Sequence, residues 1–164
     1  MSPEQFNQAP VAEARKHIAH CVALASWVEE VVSARPFASL DELLQTGEQL
    51  ASGWDGQALD KALSAHPRIG EKAQGSDKEA ALSSGEQGSV KEADAALKEA
   101  LRAGNAAYEQ RFGRVFLIRA KGRSAGEMLA ELHRRLANDP QQEQQEALDQ
   151  LREITLLRLK ETFR

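Results

Sequence analysis

The sequence predicts an all-α fold, a single-domain helical bundle of about six to eight helices. Three observations predict it. Apolar residues recur at spacings of three and four along most of the 164 residues. Capping residues stand at the head of several of these stripes. The only β-like run, Val115-Phe116-Leu117-Ile118, is too short to build a sheet.

The elements follow in order. Ser2, Pro3 and Gln5 have the spacing of an N-cap, a first helical residue and a capping-box partner. Val11, Arg15, Ile18, Val22, Ala25 and Val28 then form one amphipathic stripe, which Arg35-Pro36 is expected to stop. Ser39 to Glu42 is a second capping box, ahead of Leu43, Leu44 and Leu50. A turn at Ser52-Gly53 precedes Asp55, which caps a helix holding Leu59 and Leu63. Residues 64–88 carry Pro67 and four glycines and read as a long connection, with one helical turn near Asp77 to Leu82. Ser89 to Glu92 is a third box. It opens a helix with Val90, Ala93, Leu97, Ala100, Leu101, Ala107, Tyr108 and Phe112 on one side and Gly113 just beyond its end. Ser124 to Glu127 opens another helix through Leu136. Asp139-Pro140 starts the last, with Ala147, Leu148, Leu151, Ile154, Leu157 and Phe163 as its stripe.

Composition excludes several function classes. Lys plus Arg number 21 against 25 Asp plus Glu, a net charge of -4, which lacks the basic footprint of a non-specific nucleic-acid binder. The single cysteine, Cys21, forms no intrachain disulfide and fits a reducing compartment. No apolar run approaches the ~20 residues of a membrane span. The N-terminus lacks a signal-peptide pattern and the C-terminus a usual address, so a cytoplasmic location is expected.

The long connection carries the polar residues that helix stripes do not explain. His66 precedes Pro67, which pushes its backbone out of the α region at a helix exit. It either satisfies the last carbonyls of its helix or aims its imidazole into a cleft. Ser83 and Glu86 have capping-box spacing, yet Ser89 and Glu92 already supply a box for the next helix. The other reading is a tight turn through Gly85 and Gly88 that points Glu86 and Gln87 at a ligand. A carboxylate facing an imidazole is a minimal acid/base pair. Residues 110–126 hold five Lys or Arg and no acid, a basic segment that either is solvated or holds a small anion. His17 and His20 stand three apart, but no third ligand type clusters with them, so no metal is expected. Cys21 reads as core and His133 as surface.

His-Pro-Arg-Ile-Gly at 66–70, Ser-x-x-Glu-Gln at 83–87, and Asn105-x-x-Tyr108-x-x-Arg111-Phe112-Gly113 followed by Val-Phe-Leu-Ile resemble one family. It is the decarboxylase of 2-oxo-4-hydroxy-4-carboxy-5-ureidoimidazoline (OHCU), the last enzyme of the urate-to-allantoin route. Trp27, Arg35-Pro36-Phe37 and Trp54 add to the likeness. The resemblance implies one OHCU decarboxylase-like domain over residues 1–164, acting without cofactor and making (S)-allantoin. By the same resemblance His66 is the principal catalytic residue and Glu86 its partner. Pro67, Ser83, Ser84, Gly85, Glu86, Gln87 and the segment Ile118, Arg119, Ala120, Lys121 and Gly122 would line the substrate, the segment partly through main-chain groups. Arg119 is the nearby cation best placed for a carboxylate, and Arg158, on the inward side of the last helix, a second. The expected partner is a small anionic substrate, with no nucleic acid and no membrane; a homodimer is left open. Two other readings compete. One is a non-catalytic helical binding module docking an acidic partner on Arg111 to Arg123; the other is a hydrolase of a related ureide.

Overall fold

The computed structural model describes residues 1–64 and 95–163. Among them the chain forms eight helices and no strand: α1 (Pro3–Gln8), α2 (Val11–Ile18), α3 (Ala25–Ser33), α4 (Leu40–Ala51), α5 (Gly56–Leu63), α6 (Ala95–Phe112), α7 (Ala125–Leu136) and α8 (Pro140–Thr162). The all-α expectation holds. The described chain divides into two compact units, Met1–Ala62 with Arg152–Arg164, and Leu63–Leu151.

In the first unit the caps form as the sequence implies. The Ser2 hydroxyl accepts from the Gln5 N–H while the Gln5 side chain accepts from the Ser2 N–H. Ser39 accepts from the Glu42 N–H, but the Glu42 carboxylate reaches past it to the Ala38 N–H. The Asp55 carboxylate accepts from the Ala58 N–H at the start of α5.

The single helix expected from Val11 to Arg35 is instead two, α2 and α3, with residues 19–24 between them. The tertiary structure supplies the reason. The Arg158 guanidinium, buried on α8, donates to the carbonyls of His20 (3.4 Å) and Cys21 (3.5 Å), which a continuous helix would spend on its own N–H groups. Val11 and Arg15 accordingly point outward: Val11 is 46% exposed, and Arg15 pairs with Glu29 of α3.

The core of this unit gathers Phe6, Ile18, Trp27, Val31, Leu43 and Leu159, all essentially inaccessible to water. Phe6 meets Phe163 edge-on, 5.2 Å between centroids, and Arg35 donates to the Phe6 and Ala9 carbonyls at 2.7 Å each. The Trp27 indole donates to the Gly47 carbonyl at 3.1 Å. Each such bond meets a polar group that burial would otherwise leave costly.

In the second unit α6 packs on α7. Contact is close because residue 104 is glycine: a Cβ there would lie 2.4 Å from a Leu132 methyl. The buried face of α6 is Leu101, Gly104, Asn105 and Tyr108. Ala107, expected on that face, is exposed. Capping boxes and cap residues start α7 at Ser124 and α8 at Asp139, whose carboxylate accepts from the Gln142 N–H. The third expected box, Ser89 to Glu92, and the turn near Asp77 to Leu82 lie outside the described residues.

Candidate active site

The candidate site is best defined along the non-helical segment that follows α6. Gly113 ends that helix with φ +73°, which suits glycine. Phe116, Leu117 and Ile118 are then buried. The Phe116, Ile118 and Ala120 side chains join Leu101 and Tyr108 of α6 and Ala125, Met128 and Leu132 of α7 in one apolar cluster. Ile118 and Ala120 therefore spend their side chains on the core, so what they can offer a ligand is main chain. Beyond them the Arg123 N–H donates to the Ala120 carbonyl at 3.1 Å, and Gly122 has φ +82°. A positive φ at the third residue, with an ordinary φ at Lys121, is the pattern of a type II turn. The Arg119 guanidinium folds onto this turn and donates to the Lys121 carbonyl at 2.8 Å.

Two side chains hold the segment from outside. Arg135 of α7, 2% exposed, donates to the Leu117 carbonyl at 2.8 Å. Gln150 of α8 accepts from the Arg119 N–H at 2.8 Å. Arg135 is itself locked to Glu143 of α8, 1% exposed, through Nε at 3.0 Å and Nη2 at 2.5 Å, and lies over the Phe116 ring at 4.5 Å. Glu143 also accepts from the Tyr108 hydroxyl and from the Asn138 amide. Burial, reinforced by the bond to the Glu143 carboxylate, pushes the Tyr108 hydroxyl well above the usual tyrosine range, so it is a donor at any physiological pH.

The basic run is less loose than its composition suggests. Arg111 donates to the Asn138 carbonyl at 2.7 Å and lies 4.9 Å from the Phe112 ring, while Arg119 serves its own turn. Arg158 is 1% exposed in the first unit, bound to the His20 and Cys21 carbonyls. His66, Pro67, Ser83, Ser84, Gly85, Glu86 and Gln87 lie outside the described residues. Among the described residues no group of three or more His, Cys, Asp or Glu side chains could hold a metal. His17 packs edge-on against Phe163, and His20 Nε2 meets the Thr162 hydroxyl at 2.7 Å.

The Tyr108–Glu143–Arg135 network escapes a reading by helix stripes, though a signal for it exists. On α7, Arg135 continues the buried series Ala125, Met128, Leu132. On α8, Glu143 stands one turn ahead of Ala147. Opposite charges placed on two inward stripes are the pattern that marks a buried pair.

What helices and segment define is an all-α protein whose irregular segment after α6 is held by side chains of its last two helices. The chain belongs to the OHCU decarboxylase family, whose model matches residues 7–160. It is 32% identical over 139 residues to the 2-oxo-4-hydroxy-4-carboxy-5-ureidoimidazoline decarboxylase of Haloferax volcanii, covering 84% of this chain and 81% of that protein. It is 32% identical over 146 residues to the decarboxylase of the same name from Amia calva, covering 85% of this chain and 78% of that protein. Its fold matches a crystal structure of OHCU decarboxylase in the presence of (S)-allantoin, with TM-score 0.75 and 26% identity over 88% of this chain and 95% of the other.

Proposed function

We infer that this protein decarboxylates OHCU to (S)-allantoin, the closing step of urate oxidation. The observation that carries the reading is the family match over residues 7–160, a span that includes His66, Glu86 and the 118–122 segment. The chemistry fits. The substrate carboxylate sits on a carbon that also bears a hydroxyl, beside an electron-withdrawing imidazolone. Loss of carbon dioxide leaves charge that the ring delocalises, so the enzyme's task is to orient the carboxylate and deliver one proton to one face.

In this reading Glu86 orients the hydroxyl and ureido groups, and its charge disfavours the bound carboxylate. His66 assists its loss and helps protonate the product carbon. A histidine suits both roles because its ordinary pKa is about 6.5. Main-chain groups of residues 118–122 hold the heterocycle. The burial of the Ile118 and Ala120 side chains supports that assignment, since it leaves the peptide edge as what those residues can present. Arg119 is the proposed cation for the carboxylate.

The same reading takes residues 1–164 as one functional domain with a small anionic substrate, and places it in the cytoplasm. Among the described residues no helix is long and apolar enough to cross a membrane.

The test generates OHCU in place with uricase and hydroxyisourate hydrolase, then follows circular dichroism at an allantoin-sensitive wavelength together with carbon dioxide release. Wild type is expected to release gas and build a chiral signal. His66→Ala and Glu86→Ala are each expected to lose most of that rate while keeping the helical spectrum of the fold. Near wild-type rates in both variants would overturn the site assignment. Turnover without gas would favour a ureide hydrolase, and ligand binding without turnover a binding module.

A further inference from the structure

We propose that Gln150 and Arg135 are positioning residues that aim the Ile118 peptide edge at the substrate. The proposal rests on the reading that residues 118–122 line the substrate. It starts from peptide geometry. In a trans peptide the C=O and the N–H point in opposite directions from one rigid plane, and the only cis peptide among the described residues is Arg35-Pro36.

The Leu117 carbonyl shares its plane with the Ile118 N–H. Arg135 holds that carbonyl at 2.8 Å, so the Ile118 N–H points away from Arg135. The Arg119 N–H shares its plane with the Ile118 carbonyl. Gln150 holds that N–H at 2.8 Å, so the Ile118 carbonyl points away from Gln150. Clamping the two flanking groups thus fixes both planes, and with them one donor and one acceptor of the same residue. Such a pair matches the donor–acceptor edge of a planar cyclic urea or amide, the chemical class of the substrate ring. Without the clamps the packed side chains alone restrain the two planes, and the remaining ordering must be supplied on binding, which weakens it.

The two clamps differ in what they permit as a test. Arg135 is bound into a buried ion pair, so its replacement threatens the fold. Gln150 is partly exposed on α8 and can be exchanged with less risk. Gln150→Met keeps the length of the side chain and removes the acceptor; Gln150→Glu keeps an acceptor. Two measurements are made on the full chain: steady-state kinetics with OHCU, and the amide spectrum of ¹⁵N-labelled protein titrated with (S)-allantoin, a neutral ureide.

Loss of the bond to the Arg119 N–H predicts that Gln150→Met raises KM, and the (S)-allantoin Kd, about three- to tenfold, with kcat within about twofold. The Ile118 and Arg119 amides are expected to shift on titration in wild type and less so in Gln150→Met. Gln150→Glu is expected to restore the (S)-allantoin Kd to within about twofold of wild type. A structural role alone would lower the melting temperature and leave the KM-to-kcat split unchanged. A Gln150→Met protein with wild-type KM and wild-type amide shifts overturns the proposal. If wild type itself shows no shift along residues 118–122, the reading of the segment as substrate wall fails first, and the positioning role with it.

Discussion

Removing Arg135 should leave Glu143 buried without its cation, and the structure sets the size of that effect. Glu143 is 1% exposed in wild type, and in Arg135→Met it would keep only the Tyr108 hydroxyl and the Asn138 amide of the donors described above. It loses the guanidinium bound through Nε and Nη2, and the Leu117 carbonyl loses its donor. Breaking a buried pair from one side costs about 3–5 kcal/mol. A domain of this size holds roughly 5–15 kcal/mol in all and moves about 2–4 °C per kcal/mol. The melting temperature should therefore fall by about 6–20 °C, and the urea midpoint with it. The double variant Arg135→Met/Glu143→Leu removes both charges and leaves the Tyr108 hydroxyl, the Asn138 amide and the Leu117 carbonyl to be met, though Asn138 retains Glu146. Its loss should be smaller than the sum of the singles by about 0.5–3 kcal/mol. Circular dichroism melts and urea titrations of wild type, both singles and the double measure all four corners. An Arg135→Met protein melting within about 3 °C of wild type, or strict additivity of the singles, would refute the claim that this pair is desolvated and coupled.

Two further outcomes follow from the same unit. Bonding to Arg134, and less so to Asn138, holds the Glu146 carboxyl below its ordinary value, despite partial burial that acts the other way. A depressed carboxyl stabilises the fold above its unfolded pKa and ceases to do so as pH falls through the folded value. Glu146→Gln should thus lose about 0.5–1 kcal/mol at pH 7, and its urea midpoint should converge on wild type as pH falls below the ordinary carboxylate range; a gap that widens as pH falls contradicts the assignment. Gly122→Ala places a Cβ at φ +82°, where the nearest atom is 3.4 Å away, so the penalty is backbone strain of about 1–2 kcal/mol and not a clash. Gly113→Ala carries the same strain at φ +73° with nothing within 4 Å. Both should melt lower, but only Gly122→Ala should also raise KM; equal KM values in the two would separate the turn from substrate binding.

Much of the fold was legible because helix ends are local chemistry. Ser2, Asp55, Ser124 and Asp139 cap within three residues of themselves, and each does so in the structure. The break between α2 and α3 was not legible for the opposite reason. Its cause is Arg158, more than a hundred residues downstream, and the apolar spacing from Ile18 to Val28 stays in phase with a helix across the interruption. Gly104 is illegible in the sequence for a similar reason. A glycine in a helical pattern reads as a weakness until the Leu132 methyl that needs the space is known.

The site divides along the same line. The segment from Val115 to Gly122 could be singled out because it is apolar, basic and non-helical at once. What the sequence does not carry is how its backbone is held. Arg135 and Glu143 stand in phase with the buried stripes of α7 and α8, but either helix taken alone gives its charge no partner. Only the meeting of the α7 stripe with the α8 stripe makes them partners. That distinction bears on which substitutions a binding segment of this kind tolerates. Ile118 and Ala120 contribute side chains to the core and peptide groups to the proposed ligand, so an apolar exchange there is limited by packing volume. Arg135 and Gln150 contribute geometry, so an exchange that preserves size but not the hydrogen bond should preserve the fold better than the affinity at Gln150, and neither at Arg135.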